Sequence, residues 1–156
     1  MFSALKTLVY IQIAPDWLVV KNVKTGVSVA DVPELAISLL PHPKILAVGA
    51  EARKVAAEQA AQVVNPFAHP RSLASDFVVA EQLIKHQLRK VLSPSWLSVA
   101  PHIVIHPLGS PEGGFTQVEL RAFHEMARAA GASSVFIHTG AILADHELLS
   151  LKLPNG

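Results

Sequence analysis

One stretch constrains the fold more than any other. It runs from HIVIH (His102–His106) through a proline- and glycine-rich loop to TQVELRAFHEMARAAGASSVFIH (Thr116–His138). The first segment is short and β-branched, which reads as a strand. Thr116 stands where a helix N-cap belongs, and Glu119 at the third helical position completes a capping box. The helix predicted over Gln117–Ala130 is stopped by Gly131, and Ser134–His138 reads as a second strand. Strand, helix and strand in this order predict a right-handed parallel crossover, because a twisted strand packs its helix back onto the sheet only that way.

The rest of the chain adds strands before this unit and helices around it. Thr7–Ile13 and Trp17–Asn22 are strand candidates, Lys24-Thr25-Gly26 is a turn, and Val27–Ala30 is a third strand. Asp31-Val32-Pro33-Glu34 breaks the pattern. Leu35–Leu40 is a short apolar run, Pro41-His42-Pro43 a rigid turn, and Ile45–Val48 a strand ended by Gly49. The alanine-rich segment Ala50–Val63 is helical by propensity. Asn65–Arg71, with two prolines, is a loop. Ser75–Val91 reads as a helix, with Ser75 at its cap and Asp76 in its first turn. Phe77, Val78, Leu83, Ile84, Leu88 and Val91 lie mainly on one face. Ser93–Pro101 is a loop, and a last helix is expected from about Ala141 to Leu151. Early strands followed by alternating helices and strands make a mixed α/β layer fold.

The totals narrow the function classes. The chain has 156 residues, 51% of them apolar and 16% charged, which fits one folded domain rather than a disordered tail. A net charge of +1 argues against a nucleic-acid binder, which needs a basic stripe. No cysteine is present, so disulfide, thiolate and cysteine–zinc chemistry are excluded, and a cytoplasmic setting is permitted. No apolar run reaches the roughly 18 residues of a membrane span. The opening MFSALKTLVYIQIA reads as the first strand with its lead-in rather than a signal peptide.

Chemistry-bearing residues are scattered. His102 and His106 are four apart on a strand, so about 13 Å separates them along it, too far for one zinc that needs both nitrogens near 2 Å. Ser, His and Asp are present without a G-x-S-x-G elbow. A small enzyme built on His102, His106 and Glu112 is one reading, although Glu112 lies in a loop and Glu119 is taken by its cap. GSPEGG (Gly109–Gly114) precedes a helix and offers an anion site but lacks the G-K-[ST] of a P-loop. SPSWL (Ser93–Leu97) puts Trp96 and Leu97 in a proline-flanked loop, where exposed aromatic and apolar groups suit a membrane interface or a partner pocket. No metal site is expected.

Several segments in order resemble the MreB family of bacterial actin homologues, in the first half of its chain. ILAVGAEARKV looks like the family's strand–glycine–helix segment. LASDFVVAEQLIKHQLRKV is similar to its "IADF" helix, and TQVELRAFHEMARAAGASSVFI to its "TQVERRAI…GAREVFLI" unit. The resemblance runs from about Thr7 to the end. It implies an actin-like, ribonuclease-H-like α/β fold: a mixed sheet with flanking helices, first lobe only. Residues 1–156 would form that single lobe, with a small inserted subdomain at approximately 31–71.

The departures bear on nucleotide. The family's first phosphate loop reads Asp-Leu-Gly-Thr-Ala-Asn-Thr, and the matching stretch Gln12–Trp17 is one residue shorter. Gln12 replaces the acidic residue on the metal side and Ala14 the glycine. Pro15 has no N–H to give, Asp16 adds negative charge where phosphate would sit, and Trp17 adds bulk. The family's Ile-Glu-Glu-Pro becomes His138-Thr139-Gly140-Ala141, which removes the glutamate that positions the attacking water. The second phosphate loop would follow beyond Gly156.

The resemblance therefore implies a cytoskeletal, cell-shape module that is not an active ATPase, has no catalytic residue and binds no cofactor. Its expected partners are an MreB-type filament or a second copy, and the membrane through Trp96 and Leu97, which fall in the family's apolar membrane loop. Its expected place is the cytoplasm, at the inner face of the membrane. The alternative is an ATP- and Mg-binding half completed by a separate second-lobe chain.

Overall fold

The computed structural model describes residues 7–69, 76–93, 100–109 and 113–151. Its larger sheet has five strands in the order β3-β2-β1-β7-β8. β1 (Leu8–Ile13), β2 (Leu18–Asn22) and β3 (Ser28–Asp31) form an antiparallel meander. β7 (His102–Pro107) lies parallel to β1, and β8 (Ser134–Ile137) parallel to β7. The crossover expected from the sequence is therefore a parallel one. β7 is buried along its whole length, as a central parallel strand covered on both faces must be.

The two faces of this sheet are covered unequally. Val9, Ile11, Leu18, Val20, Ile103 and Ile105 point to one side. There they meet α2 (Phe77–Val91) and α3 (Gln117–Ala129), which contribute Leu83, Ile84, Leu88, Phe123 and Met126. The capping box of α3 is present: the Glu119 N–H donates to Thr116 Oγ1 and the Thr116 N–H to Glu119 Oε2. Asn22 fastens α2 to the meander, its Nδ2 donating to the Val91 carbonyl at 3.1 Å. That carbonyl belongs to the last helical turn, where no intrahelical donor remains. On the opposite side, Leu8, Tyr10, Val23 and Val104 are covered by Leu148 of the short helix α4 (Asp145–Leu149).

A second sheet, β5-β4-β6, sits between β3 and α2 in the chain. β4 (Leu35–Ser38) pairs antiparallel with β5 (Ile45–Val48) and β6 (Ala61–Val64), and α1 (Glu51–Glu58) packs against all three.

Three local expectations change. The alanine-rich segment does not stay helical to Val63: α1 ends at Glu58, and Ala61–Val64 pairs residue for residue with β4. Val63 and Val64 suit a strand, and the pairing gives β4 a second partner, which outweighs the local helix preference. The last helix is limited to Asp145–Leu149, with Gly140 at positive φ before it. On α2, Val78 is exposed rather than in the apolar face, and Asp76 holds the N-cap position. Ser75 lies outside the described residues.

Candidate functional site

The turn between β1 and β2 is the natural place to look for a site. It ends a buried central strand and faces the second sheet. Ile13 and Leu18 are register partners, so Ala14–Trp17 close the hairpin. The Ala14 N–H donates to the Trp17 carbonyl at 2.8 Å, and Pro15 has no N–H. The Pro15 carbonyl faces away from any anion role: it accepts from Asn65 Nδ2 at 2.7 Å. Asn65 follows β6, and its Oδ1 takes the Phe67 N–H at 2.9 Å. One side chain thus ties the hairpin tip to the smaller sheet. Trp17 is about half exposed.

A cavity of about 400 Å³ opens between this turn and the smaller sheet, lined in part by Asp16, Glu34, Arg53 and Asn65. A neighbouring hollow of about 480 Å³ shares Glu34, Arg53 and Asn65, so the two form one groove. Arg53 is the cation on its wall, and it is committed. Its Nη2 donates to Glu34 Oε2 at 2.9 Å and its Nε reaches both carboxylate oxygens. These hydrogen bonds and the charge of Glu34 hold the Arg53 proton more firmly still. Two carboxylates, Asp16 and Glu34, face one guanidinium across the first cavity. The wall is net negative, which repels phosphate rather than attracting it.

The histidines singled out from the sequence are placed separately. His102 Nδ1 is bonded to Ser134 Oγ. His106, four residues along the same face of β7, bonds instead to Tyr10 and to the Gly140 carbonyl. Each ring has its own partners, so the two do not form a shared catalytic pair, and Glu112 lies outside the described residues. The His138 and His106 rings stand nearly perpendicular with centroids 4.7 Å apart, and His138 donates from Nε2 to the Ala141 carbonyl. Among the described residues no cluster of three or more His, Asp or Glu side chains is placed to hold a metal ion. No helix among them is long and apolar enough to cross a membrane. Trp96 and Leu97 also lie outside the described residues. Gln12 is half-buried on β1, beside His106 in the ladder.

Nothing in the local sequence singles out Asn65 or Tyr10. Asn65-Pro66 reads only as a turn signal, and nothing local pairs it with a carbonyl 50 residues earlier.

Comparison with known proteins gives a consistent relationship. A protein-family model described as MreB/Mbl protein matches residues 16–145. That match begins inside the β1–β2 turn, so Gln12, Ala14 and Pro15 fall outside it. The cell shape-determining protein MreB of Escherichia coli K12 is 30% identical over 94 residues, 60% of this chain and 26% of that protein. The protein of the same name from Haemophilus influenzae is 29% identical over 93 residues, 60% and 25% of the two chains. The chain spans about a quarter of the length of these relatives. Crystal structures of MreB5 of Spiroplasma citri, bound to AMPPNP and to ADP, superimpose with TM-scores of 0.61 and 0.63. Identity is 17% and 16%, covering 86% of this chain and 38% of each of those chains. The fold is actin-like, and the chain corresponds to part of it.

Proposed function

The chain belongs to the MreB/Mbl protein family, and we propose that it serves cell shape as a first-lobe module that no longer binds nucleotide and acts through its contacts. The observation that carries this reading is the β1–β2 turn. A phosphate loop works by converging free backbone N–H groups on an anion. Here the Ala14 N–H closes the turn, Pro15 has none, and Asp16 and Glu34 put negative charge on the adjoining wall. Gly140 stands where the family carries the glutamate that positions water, and its carbonyl is occupied by His106. Without that carboxylate the module is not an ATPase. Residues at about 31–71 act as its small inserted subdomain, and their second sheet is anchored to the turn through Asn65.

Titration calorimetry of the chain with Mg-ATP is expected to give only heats of dilution. Micromolar binding by the chain alone would overturn the proposal. A second reading is favoured by the AMPPNP- and ADP-bound MreB5 structures whose fold the chain shares. In that reading ATP binds once a separate polypeptide supplies the other lobe. Binding that appears only when such a partner is added selects it.

The partners in the first reading are an MreB-type filament or a second copy, together with the inner face of the cytoplasmic membrane. Trp96 and Leu97 are the proposed membrane contact. Burying side chains of this size contributes about 1.5–3 kcal/mol each. Trp96→Ala combined with Leu97→Ala is therefore expected to weaken liposome co-sedimentation by about tenfold or more. Equal sedimentation of parent and variant, or none by the parent, removes the membrane contact from the proposal.

A further inference from the structure

The second face of the larger sheet is held shut by few contacts. Residues 138–151 cross it, and among the described residues only Leu148 of this segment is buried, with Leu143 and Leu151 packed beside it. An ion pair between Lys21 and Asp145, 2.9 Å apart, adds a partly exposed contact, the kind that contributes little in water. The His138 N–H donates to the Ile105 carbonyl at 2.9 Å, which keeps the start of the segment on the sheet. The remaining polar attachment is a chain centred on two buried rings. The Leu143 N–H donates to the Tyr10 hydroxyl at 3.1 Å, Tyr10 lies 2.5 Å from His106 Nδ1, and His106 Nε2 lies 3.0 Å from the Gly140 carbonyl. Tyr10 and His106 are both almost completely buried.

The partners fix the protons. A carbonyl can only accept, so His106 Nε2 carries the hydrogen, and Nδ1 of the neutral ring accepts from Tyr10 O–H. Tyr10 oxygen in turn accepts from Leu143. The Tyr10 hydroxyl and the His106 ring each donate once and accept once, and both ends of the chain, Gly140 and Leu143, lie in the segment that closes the face.

We infer that Tyr10 and His106 form an acid-sensitive latch: protonation of the imidazole releases residues 139–151 and uncovers the second face of the sheet. A second proton on the ring belongs on Nδ1, where the Tyr10 hydroxyl now points its own hydrogen. Tyr10 would have to turn that hydrogen toward apolar neighbours. The new charge is also buried: among the described residues no carboxylate is bonded to the ring, although the charge of Glu147 is felt at the Tyr10 hydroxyl. The ionisable groups on the surrounding elements are Tyr10 on β1, Lys21 on β2, His102 on β7 itself, His138 after β8, and Asp145, His146 and Glu147 on α4. Asp145 is engaged by Lys21, and a Glu147 oxygen accepts the Ala144 N–H. His138, edge-on to the ring, adds charge of the same sign when protonated.

Burial, reinforced by His138 and opposed by the Gly140 bond, pushes the His106 pKa below the ordinary imidazole value. Once the segment is released, the His106 ring on β7 meets water and its pKa moves back up toward the ordinary imidazole value. The released state therefore binds the proton first. The latch is at full strength above that value and weakens as pH falls toward the lowered pKa of the closed state.

Amide hydrogen exchange of the whole chain, corrected for intrinsic rates, tests this. The Leu143 and Leu148 amides are expected to open about tenfold more often near pH 5 than near pH 7.5, while buried amides of α2 and α3 stay unchanged. His106→Gln should abolish that acid response and His138→Asn should keep it. Protection that persists at low pH, opening spread equally through α2 and α3, or an unchanged response in H106Q would each overturn the latch. Should H106Q fail to fold, Tyr10→Phe decides: the Leu143 amide loses its acceptor and should exchange faster already at neutral pH. Undiminished protection there refutes the inference.

Discussion

Truncating Ile105 to alanine is expected to lower the unfolding free energy by about 4 kcal/mol, near the upper end for large-to-small changes in a core. Ile105 is fully buried at the middle of β7, with Ile11 of β1 on one side and Ile137 of β8 on the other. Its side chain points to the face packed by α2 and α3. Both neighbouring strands are fixed by their own hydrogen-bonded ladders, so the space left behind collapses poorly. A domain of this kind holds only about 5–15 kcal/mol in total, and the loss is a large share of it. Denaturant titration reads the effect as a lowered midpoint at unchanged slope. Val118→Ala is the matched control, because Val118 is 75% exposed on α3 and should stay within about 0.5 kcal/mol of the parent. Equal effects from the two substitutions would contradict the assigned core.

The second large effect is expected at Gly49, where the two sheets are joined. Gly49 has φ +80°, and a Cβ there would stand 1.9 Å from Asp31 Oδ2. The Asp31 carboxylate has little freedom to yield, because Oδ1 accepts the Val32 N–H at 2.8 Å and the Ala50 N–H at 3.0 Å. The Gly49 N–H is itself bonded to the Glu34 carbonyl at 2.7 Å. Gly49→Ala therefore adds a left-handed backbone cost of about 1–2 kcal/mol to the disruption of hydrogen bonds to a charged group, each about 1.5–3 kcal/mol. A total of about 4 kcal/mol or more is expected, with faster amide exchange concentrated in residues 35–64. Gly26 separates the two contributions. It has nearly the same φ, +81°, and a Cβ at that position would meet nothing within 4 Å, so Gly26→Ala should cost only the backbone part. If the two variants lose equal stability, the Asp31 contact is not what holds the sheets together.

Different parts of the fold are legible to different degrees. Thr116, Glu119 and Gly131 mark both ends of α3 through bonds made within a few residues, so the helix can be read directly. The parallel crossover follows from the order of its elements. Ala50–Val63 misleads because its helix propensity is a local bias that tertiary pairing overrides, and the partner that draws Ala61–Val64 into a strand is β4, more than twenty residues away in sequence. Val78 falls five residues before Leu83 and six before Ile84, off the three-to-four spacing of the buried face. It is exposed although Phe77, Val79 and Ala80 in the same turn pack on the core. The apolar run Leu35–Leu40 contains a strand only as far as Ser38, and Leu39 and Leu40 emerge exposed at the hairpin tip.

The candidate site divides the same way. The sequence alone determined what the β1–β2 turn lacks: Pro15 has no N–H, Ala14 is not glycine, and Asp16 is an acid, all covalent facts that folding cannot alter. It also determined the α/β class, because hydrophobic period and helix caps are local. Only the tertiary structure decided where the remaining groups of the turn are directed, with Ala14 bonded to Trp17 and Pro15 held by Asn65. It alone set Arg53 against Glu34 in the groove and joined His106 to Tyr10, 96 residues apart. Those partnerships depend on sheet register and chain crossing, where a displacement of a few ångströms separates a hydrogen bond from none. Local sequence carries no record of such distances.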